Sequence, residues 1–221
     1  MGVYGMTQDE ETRIRREHNQ YNLDTIFDPN TYHKPALLER NKLVFQKVLD
    51  YNLNFKKGLE MCCGWGIIGS SLLLKDAVKE LHYTDITQEQ LEDCQINVDT
   101  CGLTDRATVY RSDVWENIDD TFDFIIVNPP WWANRIEYMV NMGLREEAWL
   151  DEDWQFHQRF FNGLKEHLNP GGRCLLIESS LGSHISIFEP MVPDGMVATE
   201  IKIPTDINPS WLLEVKYEAT I

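Results

Sequence analysis

A chain of 221 residues that is 43% hydrophobic can bury one well-formed core, and it is too short for two domains of ordinary size. Its 36 acidic and 20 basic residues leave a net charge of −16, which repels phosphate backbones and makes nucleic acid a disfavoured partner. Five irregularly spaced cysteines and six scattered histidines, without a CxxC, argue against a disulfide framework and predict no metal site.

The chain opens on MGVYGMTQDEETRIRREHN, which is polar and lacks an apolar signal region, and no later stretch is apolar for long enough to cross a bilayer. A cytoplasmic protein with no membrane partner is the expectation. A short helix is predicted around Glu10 to Glu17. After Pro35, the apolar residues Leu37, Leu38, Leu43, Val44, Val48 and Leu49 recur at helical spacing and predict an amphipathic helix. Residues 1–50 therefore read as an N-terminal segment ending in this helix, and 51–221 as the main domain.

From there strands and helices alternate. A strand is predicted around Gly58 to Met61, then a glycine-bearing turn and a helix from about Gly66. ELHYTDIT is a second strand ending at Asp85, followed by a helix whose Thr87 and Gln90 fit a capping box and which closes at Gly102. ATVYRSDVW is a third strand ending near Asp113, and Phe124 to Val127 a fourth. A helix-rich segment from Arg135 to Leu168 stops at NPGG, RCLLIESS is a fifth strand, and two more lie near Met196 to Ile203 and Trp211 to Ala219. The expected fold is α/β: a Rossmann-like, seven-stranded, mostly parallel sheet with helices on both faces and an antiparallel C-terminal edge hairpin.

Ligands of such sheets bind outside the carboxyl ends of the strands, at the topological switch point. Four polar features fall there together: the turn after strand one, Asp85, Asp113 and Asn128. GWGIIG at 64–69 matches GxGxxG, and Asp85 stands near the distance expected for a carboxylate on a ribose. These features alone leave the ligand open between a nicotinamide dinucleotide and S-adenosylmethionine.

The stretches GLEMCCGWGIIGSSLLL, YTDITQEQLEDCQINVDTCGL and SDVWENIDDTFDFIIVNPPWW together resemble class I S-adenosylmethionine-dependent methyltransferases. The closer resemblance is to the branch with an NPP-aromatic signature, which includes glutamine methyltransferases of release factors and amino-methyltransferases of adenine and guanine. The resemblance implies S-adenosylmethionine as cofactor. It sets the backbone from Cys62 through Gly64 to Gly66 against the methionine part, with Glu60 just beneath. Asp85, followed by Ile86, would hold the ribose hydroxyls, and Asp113 with Val114 would meet the adenine edge. Two departures stand out: Cys62 fills a place often held by glycine, and Trp65, in place of a small residue, is expected to crowd or cover the cofactor.

The NPPWW segment has its own chemical logic. An amide or exocyclic amine nitrogen is a poor nucleophile because its lone pair is delocalised, and a site helps by accepting hydrogen bonds from its N–H groups. Asn128 offers a side-chain carbonyl and Pro129 a backbone carbonyl free of any ladder, while Trp131 can stack on a flat substrate group. Asn128, Pro129 and Trp131 are the expected catalytic residues, with Asn128 shared by the cofactor. The segment of residues 1–50 resembles the gate strand and helix that precede the sheet in this family, which implies a gate helix there and Tyr32 and His33 joining Trp131 on the substrate. Asn30, Tyr138, Trp149, Trp154 and His157 are weaker candidates for the pocket mouth, and adjacent Cys62 and Cys63 read as inert thiols.

About 40 residues precede the sheet, fewer than a release-factor recognition domain needs, and the charge opposes RNA or DNA. The expected reaction is methyl transfer to an amine or amide nitrogen of a small molecule. The alternatives are a protein glutamine-type side chain, a nucleobase, and non-methyl chemistry such as cyclisation on the same cofactor. A nicotinamide oxidoreductase and a non-catalytic binding protein are the readings from other classes.

Overall fold

The computed structural model describes residues 44, 47, 48, 53–134, 149–203 and 210–218. In chain order these form β1 (Phe55–Met61), α1 (Ile67–Leu74), β2 (Val78–Asp85), α2 (Gln88–Thr100), β3 (Ala107–Arg111), β4 (Phe122–Val127), α3 (Gln155–His167), β5 (Leu168–Ser179), α4 (Ile185–Phe188), β6 (Met196–Lys202) and β7 (Ser210–Tyr217). They make one seven-stranded sheet in the order β3-β2-β1-β4-β5-β7-β6. The first five strands are mutually parallel, and β7 inserts antiparallel between β5 and the edge strand β6. This is the expected Rossmann-like sheet with its C-terminal hairpin.

Side-chain alternation gives the sheet two apolar faces. Phe124 and Ile126 of β4 join Val78, Leu81 and Tyr83 in a core beneath α1 and α2. Ile125 and Val127 turn the other way, into a second core with Leu59 and Met61 of β1 and Phe160, Phe161 and Leu164 of α3. Gly69 lets α1 lie close to the sheet, since a Cβ there would come within 2.1 Å of Leu81 and 2.6 Å of Tyr83. Strand β1 pairs with β2 on one side and β4 on the other, so the order of connections reverses beside the ends of Met61 and Val127. That reversal is the switch point at which such sheets bind ligands.

Several boundaries differ from the sequence reading. Strand β1 starts three residues earlier, at Phe55, whose ring stacks on Phe124 at 5.4 Å. Strand β3 stops at Arg111, which leaves Ser112 to Val114 as loop. The expected capping box does not form: the Thr87 side chain makes no cap bond, and the Thr87 backbone N–H donates to Asp85 Oδ1 at 2.9 Å instead. The NPGG segment lies within the bounds of β5, where the pairing jumps from Phe122↔Leu168 to Phe124↔Arg173. The predicted helix near Glu10 and residues 135–148 lie outside the described residues, as does most of the gate helix. Of that helix Val44, Lys47 and Val48 are described; all three are helical, and the two valines are buried in the first core.

Candidate active site

A cavity of about 390 Å³ opens at the carboxyl ends of β1 to β4. The first three strand ends make one side of it. Met61, Cys62 and Gly64 follow β1, Asp85, Ile86 and Thr87 follow β2, and Ser112, Asp113 and Val114 follow β3. The β4 end contributes Asn128 and Pro130, and Leu150, Phe156 and Arg159 make the opposite wall.

Backbone geometry shapes the first side. Cys62 (φ 54°), Gly64 (φ 50°) and Val114 (φ 52°) all sit in the left-handed region, which is costly for a cysteine and more so for a β-branched valine. A Cβ at Gly64 would meet only Gln90 Oε1, at 3.8 Å, so this stretch of main chain faces open space. Asp85 ties the turn together: Oδ2 accepts from Gly64 N at 3.0 Å and Oδ1 from Thr87 N at 2.9 Å. A carboxylate oxygen has room for a second hydrogen bond, so Asp85 can still accept two donors from the cavity. Ile86 beside it is a large apolar side chain left 47% exposed, a flat surface for an apolar ring.

Glu60 and Gly66 do not line the cavity. Glu60 is buried, and its Oε2 accepts from Gly69 N at 2.8 Å, so it anchors the first turn of α1 from inside the fold. Burial lifts its pKa to about 8 against the opposing Gly69 bond, with the Asp85 charge adding to the rise. Gly66 (φ 69°) caps α1 and turns toward Cys94 and Tyr83. Trp65 does not cover the site; its carbonyl accepts from Asn97 Nδ2 at 2.8 Å, and its side chain is absent from the cavity lining. Burial, then the negative field of Asp85, raises the Cys62 thiol well above its usual range, so it stays protonated and unreactive.

At β3, Asp113 is not free. Its Oδ1 pairs with Arg159 Nη1 at 2.9 Å, and Arg159 Nη2 donates to the Asp113 carbonyl at 3.3 Å. At β4, Asn128 is exposed on the cavity with Pro130 next to it, whereas Pro129 is buried. Trp131 is half-buried and does not line the cavity; its ring lies 5.1 Å from that of Trp132, tilted by 40°. Its carbonyl packs so closely on Gly182 that a Cβ there would come within 2.3 Å.

The opposite wall is braced by charge. Trp132 N donates to Trp149 O at 3.1 Å, and Asp151 N to Trp132 O at 2.8 Å. Asp151 then accepts from Phe156 N at 2.7 Å and lies 2.6 Å from His157 Nδ1; His157 Nε2 is 3.0 Å from Glu178 Oε1. His157 is fully buried, not at the pocket mouth. Burial opposes its charge, but the hydrogen bonds to Asp151 and Glu178 outweigh it and raise the pKa to about 9.

Sequence reasoning thus foresaw the cavity's Cys62, Gly64, Asp85, Ile86, Asp113, Val114 and Asn128. It missed Leu150, Phe156 and Arg159, which come from one segment brought in by the fold without a local motif. Tyr32, His33, Asn30 and Tyr138 lie outside the described residues. Among the described residues no helix is long and apolar enough to span a membrane, and no group of His, Cys, Asp and Glu is placed to hold a metal ion.

A family model described as the methyltransferase small domain matches residues 38–191. The ribosomal protein uL3 glutamine methyltransferase of Neisseria meningitidis is 26% identical over 152 residues, which cover 66% of this chain and 49% of that protein. A ribosomal RNA small subunit methyltransferase C of Haemophilus influenzae is 28% identical over 124 residues, 56% of this chain and 32% of that one. The chain spans about half the length, or less, of these curated relatives. Among solved structures, a methyltransferase from Pyrococcus furiosus aligns with a TM-score of 0.63 at 15% identity, covering 96% of this chain and 98% of that one. An S-adenosylmethionine-dependent methyltransferase from Clostridium acetobutylicum aligns at 0.60 and 12% identity, covering 92% and 99%. The fold is that of the S-adenosylmethionine-dependent methyltransferases.

Proposed function

This chain belongs to the methyltransferase small domain family, and from that premise we propose that it methylates a planar nitrogen of a protein side chain, of glutamine-amide type, with S-adenosylmethionine as the methyl donor. The observation that carries the reading is the meeting of Asn128 with Asp85 and Asp113 in one cavity at the switch point. When bound, S-adenosylmethionine supplies an electrophilic methyl group on a sulfonium.

The residues present fit that cofactor. Asp85 has two lone pairs to spare for a ribose diol, the open main chain at Gly64 suits the amino-acid end, and exposed Ile86 suits the adenine face. Asp113, braced by Arg159, lies beside Val114 where an exocyclic amine could be read. Asn128 Oδ1 would accept an N–H of the acceptor amide and so turn its lone pair toward the methyl. Pro129 and Pro130 cannot join a ladder, which keeps the strand end rigid beside it. In this reading 51–221 is the catalytic unit and 1–50 an N-terminal segment with a gate helix, whose Tyr32 and His33 contact the substrate.

Both curated relatives act on macromolecules by their names, which favours a protein side chain over the small amine expected from composition. The second reading, an exocyclic amine of RNA, draws on the ribosomal RNA methyltransferase relative; the net charge of −16 weighs against it.

The test is a parallel calorimetric titration with S-adenosylmethionine, S-adenosylhomocysteine and NAD, repeated on Asn128→Ala. We expect the two sulfur ligands to bind and NAD not to. With an acceptor found by mass gain on ribosomal-protein and RNA fractions, Asn128→Ala should lower kcat by about 10²–10³ while S-adenosylhomocysteine affinity holds. Binding of NAD alone, or undiminished turnover in the variant, would sink the reading.

A further inference from the structure

Three titratable groups are buried together, Asp151, His157 and Glu178, and the methyl transfer proposed above uses none of them. Taking such a set out of water is expensive, and well-packed apolar residues of similar volume are often as stable or more so. What the set accomplishes is visible in its connections. His157 Nδ1 faces Asp151 Oδ2 at 2.6 Å, and Nε2 faces Glu178 Oε1 at 3.0 Å. Two carboxylates can both accept from one imidazole only if both ring nitrogens carry protons, and the raised pKa of about 9 satisfies that at neutral pH.

Each carboxylate also fastens a different piece of chain. Asp151 accepts from the backbone of Phe156 and His157, and its own N–H holds Trp132 O. Glu178, the penultimate residue of β5, accepts from Ser183 Oγ at 2.8 Å, and Gly182 next door lies so close to the Trp131 carbonyl that a Cβ would not fit between them. The ring itself is clamped by Phe188, stacked at 4.5 Å, and by Trp154 edge-on at 5.3 Å. Two arms therefore run from His157, and both end on the residues that follow Asn128–Pro130.

We infer that His157 is a positioning residue: through Asp151 and Glu178 it holds Trp131 and Trp132, and with them the Asn128 end of β4 and the Leu150–Phe156 wall, in the register that the acceptor substrate meets. Its role as a substrate-side brace rests on the methyltransferase reading, whereas the bracing itself does not.

The experiment is amide hydrogen exchange by NMR at pH 7 on the full chain, comparing wild type with His157→Gln, Glu178→Gln and Glu178→Ala. Trp132 N–H and Asp151 N–H are the reporters, and Leu59 and Ile125 in the central strands are the controls. In His157→Gln and Glu178→Ala the two reporters should exchange about tenfold faster, with the controls unchanged. Glu178→Gln keeps an oxygen for Nε2–H and should stay within about threefold of wild type. Unchanged reporters in both His157→Gln and Glu178→Ala overturn the inference, and so does acceleration that is equal at reporters and controls. Should His157→Gln not fold, the contrast between Glu178→Gln and Glu178→Ala decides alone. S-adenosylhomocysteine titration of the wild type runs alongside: its failure would count against the methyltransferase reading and leave the exchange result to judge the brace.

Discussion

The two sides of the cavity are built by different means. The side formed by the ends of β1, β2 and β3 is main chain: left-handed residues at 62, 64 and 114, and one carboxylate, Asp85, bonded to two backbone N–H groups. The side formed by the β4 end and the 150–159 segment is held by side chains, with a buried imidazole between two acids behind it. A backbone cradle suits a ligand common to a family, because main-chain geometry changes little when side chains are exchanged. A side-chain brace can be re-tuned one residue at a time, which suits the partner that distinguishes one enzyme from the next.

The division predicts that damage on one side stays there. Asp85→Ala removes both cavity-facing acceptors and unties Gly64 from Thr87. Two charge-assisted hydrogen bonds are worth about 3 kcal/mol together, so S-adenosylhomocysteine affinity should fall by at least about a hundredfold in calorimetry. His157→Gln on the far side should leave that affinity within about threefold. If both variants lose cofactor equally, the cavity behaves as one body and the two-sided account fails.

The same division explains what could be read from sequence. GWGIIG, Asp85 and Asp113 were legible because each is a short-range signal: glycines where φ is positive or a helix presses on the sheet, and acids at the ends of alternating strands. Asn128 was legible because prolines cannot continue a ladder. The brace was not, since Asp151, His157 and Glu178 form a unit only after β5 pairs with β4 and α3 packs on the sheet. His157, met alone in an amphipathic helix, carries no sign that two acids await it. Trp65 misled in the opposite direction: the motif fixes its place in the turn, but the direction of its ring depends on α2, where Asn97 holds its carbonyl.

Glu60 allows the cradle to be tested without touching the ligand. Its folded pKa of about 8 lies above the unfolded value near 4.5, so its contribution to stability is complete below about pH 4.5 and is lost as pH rises through 8. Glu60→Gln keeps an oxygen for Gly69 N–H and has no charge to bury. Relative to wild type, the variant should therefore gain stability between pH 5 and pH 7, by roughly 2.5 kcal/mol, in urea unfolding followed at both pH values. A constant difference across that range would mean that Glu60 is not held in the dry interior behind α1.

The smallest effect is the most local. Cys62 holds φ at 54° in the turn after β1, where a Cβ is crowded by the adjacent carbonyl and glycine is not. Comparing Cys62→Gly with Cys62→Ala isolates that strain, because both variants lose the same thiol and differ only in the Cβ. In an ordinary strand or helix the alanine variant would be the more stable, by roughly 0.5–1 kcal/mol, since glycine loses more chain entropy on folding. At position 62 the left-handed cost of about 1–2 kcal/mol falls on alanine and exceeds that entropy. The glycine variant should therefore unfold at higher urea, by an increment near 0.5–1 kcal/mol. The reverse order would mean that the backbone leaves the left-handed region once the thiol is gone, and that packing around sulfur, not the turn, sets the shape of the cradle.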